Sequence, residues 1–410
     1  MNNTLPPILS LALLAIGVIW EFSSGSAAIR KWGGLLAIGS FAVALGFMQA
    51  SFETDPSILL LAGAVLLSGF CTVLSQDNSQ QASKIYSSII IILALSLGVL
   101  LSPPTVSKIF LGGFLGFIVI SVNREQQNTF RTKIIFLHIA IAIIFSLSAV
   151  FMKGALQSFS SLFLALTFLP LVPFHLPFVG TIKDAKGSLS SIWIVTWLSI
   201  GLNELNTIYS SLSEEVLFTI SLLALFSAVY ASLASLGQSF NSLFVASATV
   251  AHVALIWGLL EVFPSFSSWG ISFGITLAFV MSGISLAFSF VRLRYGWKTL
   301  GILPGLASPM PRFGVAMVLL VGFALFLPLF PTFSGLMVMP TLATQNVELV
   351  MISFLFLIVW LGGGWYFIQM LHQTAYGEAR TDVPYSDLRL TEFIAVSVLL
   401  VGAIYSGIIH

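Results

Sequence analysis

The chain has 410 residues, of which 58% are hydrophobic and only 8% charged, with a formal net charge of +1. Soluble domains carry about 25% charged residues, so a water-facing globule is excluded, and the near-zero net charge argues against a nucleic-acid partner. Cys71 is the only cysteine, which excludes an intrachain disulfide, a thiolate metal cluster and an iron–sulfur site.

Runs of roughly 20 apolar residues match the thickness of a bilayer core. Hydropathy and polar punctuation predict an all-α integral membrane protein of about fourteen spans. In chain order they lie near 5–22, 32–50, 57–75, 87–102, 106–122, 133–151, 158–181, 189–210, 214–235, 242–261, 268–291, 313–334, 346–371 and 391–408. The opening MNNTLPP has no basic leader, so the first run is expected to remain as a span. No connection is long enough for a soluble domain. Fourteen Lys and Arg residues fall in connections after odd-numbered spans, from Arg30 and Lys31 to Arg389. Only Lys108 and Lys153 fall after even-numbered spans, beside the acidic pairs Glu53/Asp55 and Glu214/Glu215. The positive-inside bias therefore predicts that both termini face away from the cytoplasm.

Span seven contains TFLPLVPFHLPF, in which Pro170, Pro173 and Pro177 surround His175. Span twelve contains Pro328 and Pro331, followed by Gly335 and Pro340. Each proline removes a backbone donor and clashes with the preceding turn, so both spans are predicted to be discontinuous helices. The two lie five spans apart and so cross in opposite directions. Inverted repeats of five helices, spans four to eight against nine to thirteen, produce that pattern; two independent kinks are the alternative.

Ionisable residues are few inside the spans. His138 lies in span six, His175 at the proline cluster, His252 in span ten and Glu204 in span eight. Histidine titrates near neutrality and suits proton relay, and intramembrane charge costs at least about 2.5–3.5 kcal/mol, so these four are the candidate proton path. Bland alternatives stand beside that reading: His175 satisfying freed carbonyls, His138 and His252 in structural hydrogen bonds, Glu204 wetted near an interface. Gly112/Gly116 and Gly270/Gly274 are expected to serve helix packing. The sequence has no Walker loop, dinucleotide fingerprint, zinc spacing or nucleophile elbow, so catalysis by this chain alone is not expected.

Five motifs then point, in order, to one family. PLVPFHLP (Pro170–Pro177), SATVAH ending at His252, GLASPMP (Gly305–Pro311), LPLFPTFSG ending at Gly335, and YFIQMLHQTAYGE with DLRLTEF (Tyr366–Phe393) each resemble a family pattern. The chain resembles the antiporter-like subunits of respiratory complex I, Mrp-type cation/proton antiporters, membrane-bound hydrogenases and two-subunit inorganic-carbon uptake complexes. The resemblance covers residues 105–410, while 1–104 match in hydropathy alone. It implies fourteen core helices, with helices seven and twelve broken.

The family's row of buried charges is not matched. No acid lies within IFLGGFLGFIVISV of span five, and the residues at the other expected charges are Phe168, Ser199, Ser242 and Met339. Two functional readings follow from the resemblance. One is a membrane-arm subunit of a proton-coupled, complex I-like NADH/quinone or related assembly, guiding or gating protons through His252, His175 and Glu204. The other is a non-conducting scaffold of such a complex; the membrane subunit of an inorganic-carbon uptake complex and a free-standing transporter remain as further alternatives. Implied partners are homologous membrane subunits, a cytoplasmic peripheral subunit or arm, and the lipid of a bacterial inner membrane. Iron–sulfur, flavin, quinone or zinc would then reside on those partners, and no metal or cofactor is expected in this chain. Because the chain stops just after span fourteen, it is expected to lack the lateral helix of some relatives.

Overall fold

The structure is a computed structural model and describes residues 5–23, 25–51, 55–77, 80–123, 130–152, 154–261, 265–326 and 347–408. These residues form fifteen α-helices: α1 (Leu5–Phe22), α2 (Ala27–Ser51), α3 (Pro56–Ser75), α4 (Gln80–Leu101), α5 (Pro104–Asn123), α6 (Phe130–Phe151), α7 (Ala155–Phe168), α8 (Leu176–Asp184), α9 (Leu189–Ile208), α10 (Glu214–Leu236), α11 (Asn241–Leu259), α12 (Phe266–Tyr295), α13 (Pro311–Phe326), α14 (Val347–Thr374) and α15 (Leu390–Ile408). Eleven of them are long and apolar enough to cross a membrane. Span seven is divided between α7 and α8, and α13 supplies the first part of span twelve. Pro328, Pro331, Gly335 and Met339 lie outside the described residues.

Lipid, not water, explains which helices are apolar outside. Peripheral helices present Ile19, Trp32, Leu36, Phe47, Ile144 and Phe226 outward, which suits a hydrocarbon solvent. The interior follows a different rule. α12 is buried from Trp269 to Val291, packed on α9, α11 and α15. α9 is enclosed by α3, α4, α7 and α12, and it carries Ser190, Ser191, Thr196, Ser199, Asn203 and Glu204. It is not among the eleven apolar helices. A helix walled in by protein has no need of an apolar surface, and its hydroxyls can bond across helices. Ser190 and Ser191 on α9 meet Ser285 and Ser282 on α12, each pair at 2.6 Å, and Thr276 on α12 meets Ser406 on α15 at 2.8 Å.

Two of the resembling motifs are fastened to each other. Gly305 of GLASPMP has φ +71°, and a Cβ there would lie 2.6 Å from the Gly377 carbonyl oxygen. Only glycine fits such a left-handed, crowded position. The amides of Gly305, Leu306 and Ala307 donate to the carbonyls of Tyr376, Thr374 and Ala375 at 2.9–3.0 Å. Asp387 of DLRLTEF accepts from the first amides of α13, Arg312 at 3.0 Å and Phe313 at 3.3 Å. Glu392 pairs with Arg294 at the end of α12 and accepts from the Arg389 amide at 2.7 Å. Capping of orphan helix amides is thus built into the motif.

The glycine pairs divide. A Cβ at Gly274 would lie 2.5 Å from Leu202 of α9, so this glycine lets α12 and α9 close up. At Gly112 and Gly116 a Cβ would meet nothing within 4 Å. The packing expected of Gly112 and Gly116 is therefore not made within the described chain, because both face open space.

Candidate functional site

The site centres on the break between α7 and α8. From Leu169 to His175 the chain leaves the helix, and Pro170 and Pro173 supply no amide hydrogens. Exposed backbone at membrane depth costs several kcal/mol per group unless protein meets it. Here it is met by tryptophan. The indole of Trp197 (α9) donates to the Thr167 carbonyl at 3.0 Å, and that of Trp257 (α11) donates to the Leu169 carbonyl at 2.9 Å. The Val172 amide donates to Ser227 Oγ on α10 at 3.1 Å. Gly201 of α9 lies against the break so closely that a Cβ would fall 2.6 Å from the Phe168 carbonyl carbon and 2.7 Å from the Leu169 nitrogen. Three helices therefore hold the interruption in place.

The space beside the break is aromatic. Phe168 is fully buried against Trp197 (ring centroids 5.2 Å apart) and Phe114 of α5 (6.0 Å). Phe114 also meets Trp193 edge-on at 5.3 Å, and Phe178 of α8 meets Trp197 at 5.7 Å. Phe114 belongs to the span-five stretch in which no acid is found, and Phe168 stands where the resemblance implies a lysine. Rings from four helices fill that region. Each such pair contributes about 0.5–1.5 kcal/mol beyond its buried area.

The candidate titratable residues sit around this cluster with separate partners. His138 of α6 places Nε2 3.0 Å from Thr167 Oγ1, next to Phe168, and its ring packs on Phe163 and Phe174. His175 stands at the start of α8 with its ring edge-on to Tyr230 of α10, at 5.6 Å. His252 of α11 is buried at the junction with α14. Its Nδ1 lies 2.9 Å from the Ala248 carbonyl and 3.1 Å from the Tyr366 hydroxyl. A protonated Nδ1 donates to Ala248; an unprotonated one accepts from Tyr366. The α13 carbonyl of Ala324 also faces this ring.

Glu204 is buried and forms an ion pair with Lys108. Lys108 does not lie in a connection as the sequence suggests: it sits in the second turn of α5, which begins at Pro104. Its side chain keeps 13% exposure against 3% for Glu204. The Lys108 carbonyl accepts from Ser146 Oγ of α6 at 3.1 Å, so the pair joins α5, α6 and α9. A charge within an apolar bundle requires such a partner, and here the two elements are far apart in sequence.

The remaining sequence-singled positions are polar or aside. Ser199 is buried, with an Oγ that meets no hydrogen-bond partner among the described residues. Ser242 lies at the start of α11 on a polar cavity rather than near His252. Thr167, Trp197, Trp257 and Tyr366 escape a sequence reading, since a tryptophan or tyrosine in an apolar run reads as core. Among the described residues no three His, Cys, Asp or Glu side chains cluster as metal ligands.

No family model and no curated protein matches this sequence. Solved structures do. The chain superposes with a TM-score of 0.79 and 15% identity on a chain of respiratory complex I from Thermus thermophilus with bound NADH, over 98% of this chain and 95% of that one. The fold is shared. The membrane-bound sulfane sulfur reductase, an archaeal respiratory membrane complex, gives 0.79 at 15% identity, over 98% of this chain and 75% of its own. The Mrp complex from Dietzia sp. DQ12-45-1b gives 0.74 at 13% identity, over 98% and 94%. The protein is thus a multi-pass integral membrane protein with the fold expected of an antiporter-like subunit.

Proposed function

We propose that this protein is a membrane-arm subunit of a proton-coupled, multi-subunit complex, where it guides or gates proton movement beside other membrane subunits. The observation that carries this is the survival of buried titratable groups on a discontinuous-helix scaffold: the Lys108–Glu204 pair and His252 between Ala248 and Tyr366. Burying such groups is costly, and a bundle selected only for docking would shed them. The two hydrogen-bonding arrangements open to His252 Nδ1 suit a residue that passes a proton and resets. The excess of Lys and Arg after odd-numbered spans supports termini on the non-cytoplasmic side of an energy-coupling membrane. Matching breaks in spans seven and twelve would support inverted repeats.

The test is proton flux in proteoliposomes holding the intact complex. His252→Ala and Glu204→Gln are expected to lower coupled flux severalfold while the complex still assembles. Unchanged flux in both, and in a His175→Ala variant, would sink the reading. A second reading, a non-conducting scaffold, is favoured by the aromatic packing of Phe114, Phe168, Trp193 and Trp197, which fills with rings the places where the resemblance implies buried charges. Purification from native membranes in mild detergent, followed by mass spectrometry, identifies the partners under either reading.

A further inference from the structure

A cavity of about 270 Å³ opens at the end of the bundle where α8 and α12 finish and α9 and α11 start. Lys183 and Asp184 of α8, Asn241 of α11, Ser285 and Arg292 of α12 and Lys298 of the following loop line it. Three cations thus face one carboxylate, drawn from well-separated parts of the sequence. The general excess of basic residues on one membrane face explains their number, but not their convergence on one half-open cavity.

The cavity is preorganised. α12 ends at Gly296 in the left-handed region, φ +73°, which turns the chain back over α11. The Asn241 amide donates to the Lys298 carbonyl at 2.9 Å and the Leu300 amide donates to Ser239 at 2.7 Å, so the loop bearing Lys298 is pinned across the cavity. Arg292 donates to the Ala185 carbonyl at 3.3 Å, which fixes its guanidinium beside the end of α8. The residue preceding α11 is Phe240, which makes no side-chain cap. Of the first-turn amides of this 19-residue helix, that of Asn241 is taken by the Lys298 carbonyl and no side chain caps those that follow, at the positive end of the helix dipole. Asn241 Oδ1 is buried with no partner in the described chain; an amide can turn its nitrogen toward an acceptor instead. Below, Ser285 and Ser190 close the floor with a 2.6 Å hydrogen bond.

We propose that this cavity binds a phosphate-class oxyanion, held by Lys183, Arg292 and Lys298 at the start of α11, where no side chain caps the amides after Asn241. Arginine and lysine supply charge, the fork of Arg292 suits two oxygens at once, and a helix start supplies oriented amides. Inorganic phosphate and the phosphate of a lipid headgroup share this chemistry, and a basic pocket among span ends is accessible to both. The inference does not depend on proton movement, and its test reads binding alone.

The test uses the full chain in nanodiscs. One arm measures saturable binding of radiolabelled orthophosphate in phosphatidylcholine discs. The other measures, by native mass spectrometry, enrichment of phosphatidylglycerol over phosphatidylcholine in mixed discs. One arm is expected to be positive, identifying the source, and a Lys183→Gln/Lys298→Gln double variant is expected to weaken it at least tenfold. Both lysines are exposed, so the variant retains the wild-type elution profile. Failure of both arms in the wild-type protein overturns the proposal. So does equal binding by the double variant.

Discussion

Replacing Lys108 by Met leaves Glu204 in the bundle without its cation, and replacing Glu204 by Gln strands Lys108. Removing one member of a buried pair costs about 3–5 kcal/mol, because the remaining charge is desolvated and unpaired. Lys108 keeps 13% of its side-chain exposure, so its environment is not fully dry. We therefore expect each single variant near the low end, about 3 kcal/mol. Independent sites would make the double variant lose about 6 kcal/mol. A coupled pair predicts otherwise: with both charges gone, the double variant returns to within about 1–2 kcal/mol of wild type. Unfolding of the purified chain by sodium dodecyl sulfate, followed by circular dichroism, measures all four corners of the cycle. Singles within about 0.5 kcal/mol of wild type, the range of ordinary surface changes, or additive losses in the double variant, would refute the pair as a buried interaction.

Three further outcomes follow from the geometry. Gly201→Ala forces a Cβ against the backbone of the break and is expected to cost about 1–3 kcal/mol in the same unfolding assay; a neutral result would mean the break yields freely. Trp257→Phe removes the indole N–H together with part of the buried ring volume, so it strands the Leu169 carbonyl beside a small cavity, for an expected loss of about 2–4 kcal/mol, and no loss would show that another donor takes its place. Arg380 and Asp382 form an exposed pair outside the spans, in which the guanidinium holds the carboxyl below its usual value. Any stabilisation it gives exists above the carboxylate's ordinary pKa and is lost as pH falls through the lowered one. Arg380→Gln should raise the Asp382 titration midpoint seen by NMR, with no change in unfolding at pH 7, and an unmoved midpoint would remove Arg380 as the cause.

What the sequence discloses depends on how local the physics is. Spans follow from runs of apolar residues, and the interruption at Pro170 and Pro173 follows from covalent geometry, so both are legible without a fold. What caps the interruption is not. Trp197 and Trp257 lie 30 and 88 residues from the carbonyls they meet, and nothing in their neighbourhood distinguishes a donor indole from ordinary core. Lys108 is harder still, since four residues past Pro104 it reads as the rim of a span. Its role exists only because Glu204 arrives beside it. The charges missing at Phe168 and in span five are legible as absences, whereas the aromatic packing that occupies their place needs coordinates.

The clasp that joins α12, α13 and α15 bears on how the protein is made. Arg294 leans on Glu392 and on the Asp387 carbonyl, about a hundred residues further on, and Asp387 also covers the open start of α13. α15 supplies Ser406 to Thr276 in the interior of α12. While the ribosome is still making α14, the most enclosed helix of the protein already sits among its neighbours with an arginine and a hydroxyl awaiting partners not yet synthesised. Completion of this part of the bundle therefore waits for α15 to emerge. Termination before Leu390 removes the carboxylate that pairs with Arg294 and the hydroxyl that meets Thr276, and leaves α12 unfinished rather than the protein merely shorter.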